Sequence, residues 1–226
     1  YESTKLIVMD GVFSMEGDIA KLPEIVALAD KYNASVYVDE AHSLGVFGQE
    51  GRGICNHFGL TDRVDLIMGT FSKSLATIGG FIATDAETIN FLKHHSRSYI
   101  FSASISPAAT ASVIAALDVI KQEPERIKNL WEITNYSLSA FRSLGFEIGN
   151  TQTPIIPLYI RDMDKTFAIT QELYEQGVFV NPVIPPACSP DDTLIRFSLM
   201  ATHTKAQIDE AVEKLTATFK KYEIIR

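Results

Sequence analysis

The chain has 226 residues, of which 46% are hydrophobic and 21% charged, and its formal net charge is −8 at pH 7. This composition is typical of a globular protein, and the acidic balance disfavours nucleic acid and anionic membrane surfaces as partners. No apolar run approaches the roughly 20 residues that a membrane span needs. Two cysteines are too few for a disulfide framework, so we expect a reducing cytoplasm as the location.

The first half of the chain alternates strand-like and helix-like segments. Short apolar runs predict strands at residues 6–9, 36–38, 66–68 and 80–83. Between the first two runs, apolar residues recur at the spacing of a buried helix face, at Leu22, Ile25, Val26 and Ala29. A strand, a helix and a strand in this order predict a parallel sheet and an α/β fold.

The second half has mixed α+β character. A helical pattern from residue 106 to residue 120 ends before Pro124, and we place a domain boundary between residues 122 and 125. Beyond it, strands are predicted at residues 155–160, 178–180 and 194–199, and helices at residues 125–144, 166–176 and the end of the chain. At the other end, Tyr1-Glu2-Ser3-Thr4 leads directly into the first strand without an initiator Met, so we expect the chain to be part of a longer protein.

Polar residues follow two of the predicted strands. The strand at residues 36–38 ends in Asp39-Glu40-Ala41-His42, and Lys73 follows the strand at residues 66–68 within Gly69-Thr70-Phe71-Ser72-Lys73. In open α/β sheets, ligands bind at the carboxyl ends of the strands. Taken singly, the aspartate is equally typical of a strand-ending cap, and the lysine of a solvated loop.

An arginine, Arg196, interrupts the apolar strand predicted at residues 194–199. Such a residue either faces water on the surface of a sheet or binds a carboxylate through two parallel hydrogen bonds. The residues alone leave both readings open.

In this order, the three segments resemble those of the α-oxoamine synthases, fold-type I enzymes that use pyridoxal 5′-phosphate (PLP). The similarity rests on Asp39-Glu40-Ala41-His42-Ser43, on Gly69-Thr70-Phe71-Ser72-Lys73 and on Arg196 in a smaller domain. The segment Gly11-Val12-Phe13-Ser14-Met15-Glu16-Gly17-Asp18 is also similar to that family. The resemblance covers essentially the whole chain, and its motifs are specific.

The resemblance implies a three-layer large domain with a mostly parallel sheet, followed by a small α+β domain. Residues 1–122 would be the later part of the PLP-binding large domain, and residues 123–226 the small C-terminal domain. Lys73 would form a Schiff base with PLP and then act as general base. Asp39 would hold the ring nitrogen protonated, and His42 and Ser14 would bind the phenolic oxygen of the ring.

The resemblance also implies a homodimer with shared active sites. Thr70 and Ser72 would bind the cofactor phosphate, which Ser102 and Ser104 would reach from the partner subunit. Arg196 would bind the carboxylate of the amino-acid substrate. No metal is implied.

The implied reaction condenses an amino acid with an acyl-CoA and releases carbon dioxide. The Val183-to-Cys188 segment and the run from Arg196 to His203 are most similar to those of family members that join L-serine and palmitoyl-CoA into 3-ketosphinganine, for sphingolipid synthesis. Glycine with acetyl-CoA and alanine with pimeloyl-CoA are the alternatives. A non-catalytic partner subunit is an alternative of another class, and the presence of Lys73 counts against it.

Overall fold

A computed structural model describes residues 3–226 of the chain and divides them into two compact units. The first unit contains residues 3–12 and Ala20–Pro124, and the second contains Phe13–Ile19 and Glu125–Arg226. Tyr1 and Glu2, on which the expectation of a longer chain rests in part, lie outside the described residues. The segment Phe13–Ile19 is therefore part of the second unit, although both of its flanks in the chain belong to the first.

The first unit contains a four-stranded sheet with helices between and after its strands. Its elements, in chain order, are β1 (Leu6–Asp10), α1 (Leu22–Tyr32), β2 (Ser35–Asp39), α2 (Ile54–His57), β3 (Leu66–Thr70), β4 (Gly80–Ala83), α3 (Ala86–His95), α4 (Arg97–Ile100) and α5 (Pro107–Gln122). Single 3-10 turns lie at Gln49–Gly51 and Thr61–Arg63. The strand order is β1-β2-β3-β4, in which the first three strands are parallel and β4 is antiparallel to β3.

Helices α3 and α5 begin at residues whose side chains satisfy free backbone N–H groups. Asp85 accepts hydrogen bonds from the backbone N–H groups of Glu87 and Thr88 at the start of α3. At the start of α5, the Ser106 hydroxyl accepts from Ala109 N–H at 3.2 Å, and Pro107 occupies the first turn. Proline fits there because the first helical N–H groups have no partner within the helix.

The second unit packs helices against a three-stranded antiparallel sheet of order β5-β7-β6. Its elements are α6 (Glu125–Ser143), β5 (Ile155–Tyr159), α7 (Met163–Glu175), β6 (Asn181–Val183), a 3-10 turn at Pro190–Asp192, β7 (Leu194–Ser198) and α8 (Lys205–Lys221). The helices and the strands of this unit both contribute large buried apolar residues, among them Phe141, Ile156, Ile169, Ile195 and Phe219. None of the helices within residues 3–226 has the length and apolar character that a membrane crossing requires.

The prediction of a strand at residues 178–180 is wrong, because the strand lies at Asn181–Val183. The backbone N–H of Val178 donates to the Leu173 carbonyl at 2.8 Å, and Gly177, at φ +82°, closes the end of α7. Because that N–H serves the helix end, sheet pairing begins later, at Asn181. Pro182 is tolerated in β6 because β6 is an edge strand of this sheet.

Candidate active site

The parallel strands of the first unit end in polar residues at one edge of the sheet. Asp10 ends β1, Asp39 ends β2 and Thr70 ends β3. Asp10 and Asp39 are register partners across the β1–β2 pair. Because the three strands run in the same direction, these side chains are presented at the carboxyl edge of the sheet.

Backbone contacts fix the turn that follows Asp39. The Ala41 N–H donates to the Asp39 carboxylate at 2.8 Å, and the Glu40 N–H donates to the Met68 carbonyl of β3, also at 2.8 Å. His42 lies half-buried inside the same turn. Asp39 therefore has one carboxylate oxygen held in place, and its direction relative to the sheet is set by local structure.

Lys73 lies in a loop of residues 71–79, hereafter the Lys73 loop, which connects β3 to β4. The Phe71 N–H donates to the Gly79 carbonyl at 2.9 Å, and the Thr77 N–H donates to the Phe71 carbonyl at 2.8 Å. Leu75, which is only 2% exposed, anchors the loop in the interior of the unit. Lys73 itself is exposed, so its amine is accessible on a loop whose base is closed.

The hydroxyl of Thr70 is buried and has no hydrogen-bond partner among the described residues. A buried hydroxyl without a partner costs free energy on the order of 1–3 kcal/mol, so its retention points to a ligand. Ser72, two residues further on, is exposed. The two residues for which the resemblance implies a phosphate contact thus lie at the start of the Lys73 loop, and one of them lacks a partner among the described residues.

Asp10 is a charged neighbour of these residues that sequence reasoning missed. Burial raises the pKa of the Asp10 carboxyl, the Asp39 carboxylate raises it further, and Lys73 opposes that rise. These effects place Asp10, Asp39 and Lys73 within electrostatic reach of one another. The available signal was that Asp10 ends an apolar strand in the same way as Asp39.

Ser102 and Ser104 lie in the segment between α4 and α5 and are exposed. The Ser102 hydroxyl donates to the Ser98 carbonyl, at the end of a short helical turn. Phe101, beside them, is 79% exposed. The segment thus presents hydroxyls and an aromatic ring to the outside of the first unit.

Ser14 belongs to the second unit, through the segment Phe13–Ile19. The Thr151 hydroxyl lies 3.1 Å from the Gly17 carbonyl and 2.8 Å from the Ile155 carbonyl, as the donor in each case. Gly17 has φ +70°, and a Cβ there would lie 2.2 Å from the Ile155 carbonyl oxygen. Only glycine fits this contact, which holds the segment carrying Ser14 against the start of β5.

Arg196 is the central residue of β7, paired with Pro157 on one side and Asn181 on the other. Its Nε is buried and has no hydrogen-bond partner among the described residues, and burial lowers the pKa of its guanidinium. A buried guanidinium nitrogen without an acceptor is unfavourable unless a ligand supplies one. Arg196 is thus the counterpart in the second unit of Thr70 in the first.

The candidate residues therefore fall on two units. The first unit holds Asp39, His42, Thr70, Ser72 and Lys73 at one edge of its sheet, with Ser102 and Ser104 on an exposed segment. The second unit holds Ser14 and Arg196. Within residues 3–226, no group of three or more His, Cys, Asp or Glu side chains is arranged to hold a metal ion.

Residues 1–215 match the aminotransferase class I and II family. A serine palmitoyltransferase from Bacteroides ovatus is 66% identical over 224 residues, which are 99% of this chain and 57% of that protein. An 8-amino-7-oxononanoate synthase from Thermosipho melanesiensis is 44% identical over 221 residues, 98% of this chain and 56% of that protein. The chain thus spans little more than half the length of these relatives.

Solved structures give the same result for the fold. A serine palmitoyltransferase from S. paucimobilis, with PLP and myriocin bound, has a TM-score of 0.95 at 35% identity and covers 99% of this chain and 57% of its own. A Sphingomonas wittichii serine palmitoyltransferase has a TM-score of 0.94 at 34% identity, over 100% of this chain and 57% of its own. The predicted fold class and the predicted family resemblance are both confirmed.

Proposed function

This chain belongs to the aminotransferase class I and II family, and on that premise we propose that its protein is a PLP-dependent acyltransferase. We propose that it condenses L-serine with palmitoyl-CoA and releases carbon dioxide to give 3-ketosphinganine. The serine reading is supported by the relatives that share about two-thirds of its residues and are named serine palmitoyltransferase. The observation that carries the site assignment is that Thr70 Oγ1 and Arg196 Nε are two of the three buried polar side-chain atoms without a partner among residues 3–226; the third is Thr193 Oγ1, just before β7.

The residues of the first unit fit PLP. Thr70 offers an unsatisfied hydroxyl to the phosphate, with Ser72 beside it, and Lys73 offers an accessible amine to the aldehyde. Asp39 would face the ring nitrogen and keep it protonated, because a nearby carboxylate favours the charged form. His42, and Ser14 from the second unit, would donate to the phenolic oxygen. When bound, the protonated ring of PLP stabilises negative charge at the α-carbon of an amino acid.

The remaining steps belong to side chains of this chain. Arg196 binds the substrate carboxylate with its unpaired guanidinium N–H and so orients the bond to be broken. Lys73 would act as general base toward the α-proton of the bound amino acid. Asp10 lies within electrostatic reach of both Asp39 and Lys73 in the first unit.

We also propose a homodimer with shared active sites. Ser102 and Ser104 are exposed on the first unit and reach no residue of the Lys73 loop through a hydrogen bond within residues 3–226. We propose that they serve the phosphate of the partner subunit. Both cysteines are free thiols, and we assign the protein to the cytoplasm.

The second candidate is 8-amino-7-oxononanoate synthesis from alanine and pimeloyl-CoA. It is favoured by relatives of that name at 44–46% identity over nearly the whole chain. The two candidates share Lys73, Asp39 and Arg196 and differ only in the amino acid and the acyl chain. Substrate comparison therefore separates them, and site mutants do not.

The test of the proposed chemistry uses the purified natural protein. Borohydride reduction should fix PLP to a peptide containing Lys73, and Lys73→Ala should remove both that adduct and the visible absorbance of the protein-bound cofactor. Lys93→Ala, on the exposed surface of α3, is the matched control and should retain both. An adduct on another lysine, or one that survives Lys73→Ala, would refute the assignment of Lys73.

The test of the substrates measures thiol release. L-Serine with palmitoyl-CoA should release CoA faster than alanine with pimeloyl-CoA or glycine with acetyl-CoA. Faster release from alanine with pimeloyl-CoA would replace the first candidate by the second. No release from any pair by a PLP-loaded protein would favour the non-catalytic alternative.

A further inference from the structure

Glu40 is a buried carboxylate to which the proposed reaction gives no role. It is 1% exposed, and its two oxygens accept the backbone N–H groups of Ile54 at 2.7 Å and Cys55 at 2.8 Å. The Ser43 hydroxyl also donates to it. Burial raises the pKa of the Cys55 thiol, and the Glu40 carboxylate raises it further. Because a buried carboxylate is stable only when donors satisfy it, these contacts bind Glu40 to the start of α2.

The chain around this carboxylate leaves no room for larger residues. Gly53 has φ +99°, and a Cβ there would lie 2.5 Å from Glu40 Oε2. A Cβ at Gly11, just beyond β1, would lie 3.3 Å from the same oxygen. Residues 40–54 are hereafter called the Glu40 loop. Glu40 follows β2, accepts a hydrogen bond from Ile54 at the other end of this loop, and lies beside Gly11 at the end of β1.

The Glu40 loop also touches the Lys73 loop. The Ser74 hydroxyl donates to the Leu44 carbonyl at 2.6 Å. Gly45, at φ +78°, packs so closely that a Cβ there would lie 2.5 Å from the Ser74 Cβ. The Gly45 N–H in turn donates to the Gly51 carbonyl at 2.7 Å, which closes the Glu40 loop on itself. A shift of this loop therefore changes the surroundings of Ser74.

These contacts lie next to the candidate catalytic residues in sequence. Glu40 stands between Asp39 and His42, and Ser74 follows Lys73 directly. We propose that Glu40 is a positioning residue, which acts through its loop and the Leu44–Ser74 hydrogen bond to fix Asp39 relative to Lys73. The proposal rests on the proposed function, because only a ligand held by both residues gives their separation a chemical role.

Glu40→Gln tests the proposal with little change in volume. The amide replaces one acceptor oxygen by an NH2 donor, which would face a backbone N–H of Ile54 or Cys55, so the loop should loosen. In the complete natural protein, we expect the dissociation constant of PLP to rise about tenfold, the equivalent of one net hydrogen bond. The pH midpoint of the visible absorbance of bound PLP should shift as well, because it depends on the placement of Asp39.

Two further variants separate positioning from general stability. Phe141→Ala destabilises the second unit without touching the Glu40 loop, and it should leave the dissociation constant and the pH midpoint unchanged. Ser74→Ala removes an exposed hydroxyl and should fold normally, with a smaller shift of the midpoint in the same direction. Because both changes act through one contact, the double variant with Glu40→Gln should shift it no further than Glu40→Gln alone.

The proposal is overturned if Glu40→Gln has the same dissociation constant for PLP and the same pH midpoint as the natural protein. If Glu40→Gln does not fold, the same result in Ser74→Ala overturns it. If the natural protein binds no PLP, the proposed function fails instead. Amide hydrogen exchange on the cofactor-free protein then tests whether Glu40 positions the Lys73 loop. Glu40→Gln should then speed amide exchange in residues 71–79 as well as in residues 41–53, and Phe141→Ala should not. Unchanged exchange in residues 71–79 would refute the coupling.

Discussion

The two units differ in how completely they bury their apolar side chains. In the second unit, Phe141 packs edge-on against Phe146 and Phe197 at centroid distances of 5.1 and 5.2 Å, and Phe146 lies 4.9 Å from Phe219. In the first unit, Phe101 is 79% exposed, and it is accompanied on the surface by Ile78, Phe91, Tyr99, Ile100 and Ile114.

The aromatic cluster of the second unit is closed by residues of that unit, although Phe179 and Tyr174 elsewhere in the unit are 76% and 64% exposed. The first unit carries most of the candidate site but leaves a large apolar surface open, and such surfaces mark interaction sites. The proposed dimer would bury part of this surface.

Separate expression of the two units gives the largest expected contrast. A fragment of residues 123–226 lacks the segment Phe13–Ile19 of the second unit but should still unfold cooperatively, because it retains the aromatic cluster and the whole β5-β7-β6 sheet. A fragment of residues 1–124 should associate into large species, because its apolar side chains are exposed. Circular dichroism melts and light scattering measure both. A monomeric first fragment with a cooperative melt would break the comparison.

Matched truncations of phenylalanine test the same difference in the natural protein. Phe141→Ala should lower the free energy of unfolding by about 3–5 kcal/mol, because the ring is fully buried. Phe101→Ala should change it by less than about 0.5 kcal/mol when measured below the concentration of association. Denaturant titration of each variant gives the two values. Equal losses would mean that Phe101 is covered in solution.

Arg196 should contribute to binding of the amino acid and not to the stability of the second unit. Arg196→Met should raise the KM for the amino acid by about 10- to 100-fold, the range for a hydrogen bond to a charged group. It should not lower the melting temperature, since Nε has no partner to lose within the described residues. Arg161→Met, which removes contacts to Glu147 and Asp192, should do the reverse. A loss of stability with unchanged KM in Arg196→Met would contradict a ligand role.

The corresponding atom of the first unit is the hydroxyl of Thr70. Thr70→Val should weaken PLP binding by about tenfold, the value of one net hydrogen bond, without loss of stability in the cofactor-free protein. Thr88→Val is the matched control, because its hydroxyl donates to Asp85 at 2.6 Å at the start of α3. The control should lower stability and leave PLP binding unchanged. Absorbance titrations and melts measure both effects.

Acid titration gives the smallest effect, with opposite signs in the two units. The hydrogen bond from Arg161 lowers the pKa of Glu147, so its contribution is present above the ordinary value of 4.5 and is lost as the pH falls through the folded value. Burial raises the pKa of Asp10, so its contribution is present at low pH and is lost as the pH rises through the folded value.

Neutral substitutions separate these two contributions. At pH 7, Glu147→Gln should lower stability by up to about 1 kcal/mol, as expected for an exposed ion pair, and Asp10→Asn should raise it. Below pH 4, both differences should shrink. Shifts of the same sign at pH 7 would show that Asp10 has a stabilising partner in the natural protein.

Much of the fold follows from local pattern in the sequence. Strands β1 to β4 lie within a residue or two of the predicted runs, because buried strands are short apolar segments bounded by turns. Helix α6 ends at Ser143, followed by Gly145 in the left-handed region at φ +79°, as the glycine predicts. Candidate site residues could be selected because polar groups interrupt or end such apolar runs.

Other features depend on contacts that no local pattern contains. Residues 13–19 follow β1 directly, yet they belong to the second unit through Thr151 and Gly17, which are far apart in the chain. The importance of Glu40 was hidden beside Asp39, since its partners Ile54 and Cys55 lie 14 and 15 residues away. Helix α3 was missed because its residues are largely exposed and show no buried face.

The sequence by itself determined which residues are available for chemistry: Lys73, Asp39, His42 and Arg196, in an order that resembles one enzyme family. Only the tertiary structure decided which polar atoms lack a partner among the described residues, and Thr70 Oγ1 and Arg196 Nε are among them. The physical reason is that periodicity records the burial of each residue, whereas satisfaction of a polar group depends on partners brought together by folding.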